Sequence, residues 1–382
     1  MNEKALNLVT ALGFSFVGLI FLAWWFTANP TKDFTESLPG RDNRPEGFVS
    51  RGESVDLGAL FFSFEGVPSD LEGSWPRFRG AFFDNICTEN VDLADSWGEA
   101  GPEILWSLDL GEGHAGPVVS GGKVYLLDYE EEERADILRC FSLDDGREIW
   151  RRGYEIFVKR NHGMSRTVPA VSEKYVITIG PMCHVMCVNA VTGDFLWGID
   201  LVQDFGAEVP LWYTGQCPLI DGPLAILAVG GDSLLIAVDC ETGDVVWETP
   251  NPGSFKMSHS SVMLFSILGK KMYVYSAIGG IAGVSAEGED AGQLLFDSRL
   301  WDHNVVAPSP VYLGDGKLFL TAGYGAGSLM VQVHEENGIF SVESLQSVTP
   351  EEGLASEQQT PILYKGHLFA ILPKDAGPSR NQ

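Results

Sequence analysis

No Cys-x-x-Cys pair, no Cys-x-x-Cys-His element and no two adjacent cysteines occur in the 382 residues. The first absence removes the common zinc and dithiol spacings, and the second removes covalent haem. The six cysteines present, Cys87, Cys140, Cys183, Cys187, Cys217 and Cys240, are scattered. Cys183-His184-Val185-Met186-Cys187 gathers ligand-type side chains, yet it alternates as a strand does, and no second ligand pair lies near it. It reads as buried thiols rather than a metal site, and pairing between any two cysteines stays open. Basic residues are scarce too: 25 Lys and Arg stand against 52 Asp and Glu, a formal charge of −27. Phosphate binding needs clustered cations, so no nucleic-acid partner is expected. The run Glu130-Glu131-Glu132-Glu133 reads as an exposed loop.

Charge is absent altogether from residues 6–28, LNLVTALGFSFVGLIFLAWWFTA. A helix of that length spans about 34 Å, enough for a bilayer core, and Trp24 and Trp25 lie where indole favours the interface. A cleaved signal peptide is the rival, but its apolar region is shorter, and Phe26 would stand at the −3 position of a cut after Ala28. The expectation is an uncleaved transmembrane anchor over 1–28, a signal-anchor with the membrane as a partner. Lys4 on one side and Lys32, Arg41 and Arg44 on the other do not orient it. Residues 29–73 read as a tether, in which Leu60-Phe61-Phe62-Ser63-Phe64 is apolar enough to dock on the folded body.

The rest repeats. EILW ends at Trp106, DDGREIW at Trp150, VTGDFLW at Trp197 and ETGDVVW at Trp247, with weaker copies at Phe296 and Phe340. The spacing is 44 to 50 residues. A second motif keeps step, a short stretch, often with Pro, then a turn and a β-rich strand, as in TVPAVSEKYVITIG (167–180). Two hairpins per unit make four strands, the content of one propeller blade. The predicted fold is all-β: a β-propeller of four-stranded antiparallel blades over 74–382, five complete units and a partial sixth, preceded by the helix. Gly146, Gly193 and Gly243 permit a tight turn with positive φ, and the tryptophan that follows each is expected to wedge between neighbouring blades with its N–H on a backbone carbonyl.

VNAVTGDFLW (188–197) and VDCETGDVVW (238–247) resemble the tryptophan-docking repeat of quinoprotein dehydrogenases. GSWPRFRG (73–80) resembles the opening of bacterial PQQ-like β-propeller repeat proteins. The resemblance covers about residues 73–382 and implies the fold. Its members carry seven or eight blades, which implies truncation at the C-terminus here, and they include both dehydrogenases and non-enzymatic envelope proteins. The dehydrogenase pattern includes vicinal cysteines, a calcium held by Glu, Asn and Asp, and a catalytic Asp; none of these maps onto this sequence.

His114, Arg166, His259 and Gln358 sit at equivalent offsets just before the innermost strands, with Gly215 and Ala307 at the same offset in the other two units. His162 and His303 lie slightly earlier in their units. On a propeller these side chains would ring one mouth of the channel, where histidine can act as base or ligand; solvated loop residues are the plainer reading. The expected function is a membrane-tethered, non-enzymatic platform for other envelope proteins, single-pass in the bacterial inner membrane with the propeller periplasmic. No catalytic residue, metal or cofactor is expected. The alternative is a membrane-bound oxidoreductase holding PQQ with calcium on the axis.

Overall fold

The computed structural model describes residues 2–28, 55–89, 92, 94–99, 101–159 and 164–372. Beyond the N-terminal helix α1 (Glu3–Thr27), nearly all regular structure is antiparallel strand. The first sheet contains β1 (Leu60–Ser63), β2 (Val118–Ser120), β3 (Lys123–Glu130), β4 (Ala135–Ser142) and β5 (Glu148–Glu155). The second holds β6 (Ala170–Val171), β7 (Tyr175–Ile179), β8 (His184–Asn189) and β9 (Phe195–Asp200), followed by the short helix α2 (Leu201–Phe205). The third holds β10 (Leu219–Asp221), β11 (Leu224–Ala228), β12 (Ser233–Asp239) and β13 (Val245–Pro250). The fourth holds β14 (Met263–Ile267), β15 (Lys270–Ala277), β16 (Gly280–Ser285) and β17 (Leu294–Ser298). The fifth holds β18 (Val311–Gly314), β19 (Lys317–Ala322), β20 (Gly327–Glu336) and β21 (Ile339–Val348), and the sixth β22 (Ile362–Tyr364) and β23 (His367–Phe369).

In the second to sixth sheets the strands follow one another in sequence order, so short turns suffice; in the first, β2 to β5 do so and β1 is added beside β5. The middle strands of the first four sheets are largely apolar and buried on both faces, as in β3, whose first seven residues are all buried. The core is therefore layered. One apolar cluster joins Tyr125, Leu138 and Trp150 of the first sheet to Val176, Met186 and Val188 of the second. Others lie between the second and third, third and fourth, and fourth and fifth sheets. The segment 60–64 does dock on the body: β1 pairs antiparallel with β5, and Phe61 lies over the Arg152 guanidinium at 3.9 Å.

A polar relay ties the inner strands together. The backbone N–H of Val168 donates to Cys217 Sγ (3.2 Å), that of Cys217 to Ser261 Oγ (2.9 Å), that of Ser261 to Ser309 Oγ (3.0 Å), and that of Ser309 to Thr360 Oγ1 (2.9 Å). Each link fills a donor that no ladder reaches, as buried N–H groups require. The WPRFR stretch crosses the same strands. Trp75 pairs with Val119, Pro76 O accepts from Val171 N, Arg77 donates to Ile220 O, and buried Arg79 donates to the carbonyls of Thr360 and Pro361.

Two expectations are corrected. The closed propeller is not found: strand order in every sheet runs to two edges, no sheet curls closed, and the sixth has only β22 and β23 among the described residues. Strand pairing stops inside each sheet, and side chains carry the array onward. The membrane anchor over 1–28 is not supported either, because among the described residues no helix is long and apolar enough to cross a membrane. Helix α1 forms where the charge-free run predicted one. The transmembrane, signal-anchor and membrane-partner expectations fall with the anchor, as does the single-pass inner-membrane, periplasmic placement.

Candidate docking site at the inner-strand mouth

The repeated aromatic ring is the third residue of the last strand of each unit: Trp150 in β5, Trp197 in β9, Trp247 in β13 and Phe296 in β17. Each faces a residue of the preceding strand that adjoins a register shift, at Cys140/Phe141, Cys187/Val188, Ala237/Val238 and Gly283/Val284. Such a bulge adds local twist and re-aims the side chain, here toward the next sheet. Trp150 Nε1 donates to Val191 O (3.2 Å) and Trp197 Nε1 to Cys240 O (2.9 Å). Trp106, outside any strand, donates to Leu143 O (3.0 Å).

The glycines complete the contact, though not with the tryptophan that follows them. Gly193 (φ 73°) packs against Trp150, and a Cβ there would lie 2.6 Å from the indole; Gly146 meets Trp106 and Gly243 meets Trp197 in the same way. Gly292 meets Trp247, but that indole N–H finds no acceptor among the described residues, and the Gly292 carbonyl accepts from Thr249 Oγ1 instead. The fastener is thus a ring from one unit lying on the glycine turn of the next.

At the mouth, the structure brings Arg166 and His259 together, while the side chains of His114 and Gln358 are exposed. His259 is half-buried, and Gly215 permits its approach, since a Cβ there would lie 2.8 Å from the His259 Cβ. Burial lowers the imidazole pKa to about 4; the positive Arg166 pushes the same way, and the carbonyls of Leu211 and Tyr213 oppose them. Its ring stacks on Trp212 (6.3 Å), and Trp212 stacks on Tyr324 (5.9 Å, 17°). His114 is exposed and enters only through its backbone N–H, which donates to Ser165 O. Gln358 lies exposed in a bend. His303 packs edge-on against Trp301 at 4.3 Å, and His162 lies outside the described residues.

Sequence reasoning missed Trp212, Tyr213 and Tyr324. All three have left-handed backbones, with φ of 63°, 70° and 57°. Non-glycine residues rarely adopt that region, and it recurs where a side chain is held for a purpose. The available signals were the aromatic pair in LWYTG and the glycines flanking Tyr324. Also missed was a buried polar knot beneath the mouth. Asp136 is fully enclosed and accepts from Ser165 Oγ and from Tyr154 OH (3.0 Å); His184 packs against the Tyr154 ring and lies 3.5 Å from Asp200. Among the described residues no group of three or more His, Cys, Asp and Glu could hold a metal ion.

The family profile described as outer membrane protein assembly factor BamB, of the PQQ-like class, matches residues 133–375, more than half of the chain. The chain belongs to this family. No curated protein matches it. Among solved structures, BamB from Moraxella catarrhalis aligns at 14% identity over 63% of this chain and 70% of that one, with a TM-score of 0.40. Quinohemoprotein alcohol dehydrogenase from Comamonas testosteroni aligns at 14% identity over 62% of this chain, with a TM-score of 0.39. The chain spans only 41% of that dehydrogenase. Similarities this low carry no argument about activity. BamB-type membership makes the chain a β-sheet scaffold of the PQQ-like kind.

Proposed function

We propose that this BamB-type chain is a non-enzymatic scaffold that docks another polypeptide at the inner-strand mouth. The observation that carries this reading is the ladder His259–Trp212–Tyr324. Three rings are held in register, two of them, Trp212 and Tyr324, on left-handed backbone, and Tyr324 is more than half exposed. Rigid aromatic rings give contact area with little entropy to lose, which is why they anchor protein interfaces. His259 also suits docking better than proton transfer, because a base is most effective with a pKa near the working pH and this one sits at about 4.

Replacing Tyr324 with a photoreactive phenylalanine analogue tests the reading. One discrete protein adduct is expected, lost when Trp212→Ala is added while the melting temperature is kept. An adduct indifferent to Trp212, or none, would refute it. A second reading, a quinone oxidoreductase, draws on Arg166 beside these rings, since a guanidinium and the Trp212 face are the groups that would hold a planar anionic quinone. Retained quinone absorbance with dye reduction after adding PQQ and calcium would replace the scaffold reading.

A further inference from the structure

The carboxyl of Asp136 on β4 is fully buried, and both of its oxygens accept from neutral hydroxyls, Ser165 Oγ and Tyr154 OH. No Lys or Arg forms an ion pair with it among the described residues. The groups facing it are Tyr154 on β5, His184 on β8, Asp128 on β3 and Ser165 on the approach to β6. Asp128 is an anion of the same sign, and the cation beside it, Arg139, is engaged with Asp128 rather than with Asp136. Gly180 opens the space, since a Cβ there would collide with Tyr154 OH and Asp136 Oδ2. Ser165 in turn pairs with Gly113 and accepts from His114 N. The knot therefore joins the first sheet to the second and holds the two segments that carry His114 and Arg166.

We infer that Asp136 is a proton-operated latch between the first two sheets, closed when the carboxyl is neutral and loosened when it ionises. A buried carboxylate without a Lys or Arg partner is costly, whereas the neutral acid escapes that desolvation cost and can bond a hydroxyl as donor or as acceptor. Burial raises the pKa to about 6, with the Ser165 and Tyr154 hydroxyls and then His184 pulling it back, and Asp128 adding a smaller push upward. The folded value is raised above the unfolded one. The latch's stabilisation is therefore complete below about pH 4 and lost as pH rises through about 6.

The test uses the full chain. In a carbon-13 carboxyl titration, the resonance lost in Asp136→Asn should titrate near 6 in the wild-type protein. Ser165→Ala and Tyr154→Phe should each move that midpoint higher, because each removes a donor that favours the charged form. Amide exchange of His114, corrected for its intrinsic pH dependence, should speed up severalfold above the same midpoint and lose this pH step in Asp136→Asn. A midpoint near 4, hydroxyl variants that leave it in place, or His114 exchange without a step would each overturn the latch. The wild-type titration needs no variant to fold, and none of these readouts depends on a docking partner.

Discussion

The junction between the second and third sheets and that between the third and fourth use one geometry with different chemistry. At the first, Trp197 lies on Gly243 and its N–H reaches Cys240 O. At the second, Trp247 lies on Gly292 in the same way, but its N–H is left without an acceptor among the described residues. In the following sheet Phe296, a ring with no donor, takes the position. What persists is the ring, the adjoining bulge and the covered layer; the hydrogen bond is an addition. Packing carries the array, and the polar contact sharpens it where a carbonyl is in reach.

Trp150→Ala should break the comparison most severely. It removes a ring that is 2% exposed and should cost about 3–5 kcal/mol in urea unfolding; a loss below about 1 kcal/mol would mean the ring is not a fastener. Trp197→Phe and Trp247→Phe sharpen the contrast. The first leaves Cys240 O with only the weak Cys187 thiol donor (3.6 Å) and should cost about 0.5–1.5 kcal/mol. The second removes an already unsatisfied donor and should lie well below it; equal costs would show that the indole N–H is irrelevant at both junctions.

The smallest effect concerns acid. His259 titrates at about 4 when folded and at about 6.5 when unfolded, so its contribution is present above pH 6.5 and lost as pH falls through 4. His259→Gln should flatten the wild-type loss of stability across that window, seen in melting temperatures at pH 4–7. An unchanged slope would place the imidazole in water. Asp136 acts in the opposite direction, so the two substitutions should bend the pH profile in opposite senses.

Much of the fold was legible because two motifs kept phase. Glycine bends and tryptophans recur where strands must turn and cover one another, so four strands per unit could be counted before any coordinate was known. The partner of each glycine was not legible: Gly193 precedes Trp197 in sequence yet lies on Trp150, a contact between units that a motif confined to one unit cannot express. Ring closure failed for a related reason, since a repeat specifies its own sheet and not the end of the array. A charge-free run located α1, but the anchor read into it was not borne out, since among the described residues no helix is long and apolar enough to cross a membrane. At the mouth, the residues at equal offsets differ in setting: Arg166 and His259 lie together and partly buried, whereas His114 and Gln358 are exposed. Trp212 and Tyr324 escaped notice because left-handed backbone at an aromatic residue leaves no periodic trace.

A double-mutant cycle tests the inter-unit fastener most directly. Gly193→Ala should destabilise strongly in the wild-type background, where the new methyl meets Trp150 at 2.6 Å, and much less beside Trp150→Ala. The coupling between positions 150 and 193 should exceed about 1 kcal/mol, while Trp150 and Gly146 should be additive within about 0.5 kcal/mol. Coupling of Trp150 to Gly146, with none to Gly193, would contradict the account.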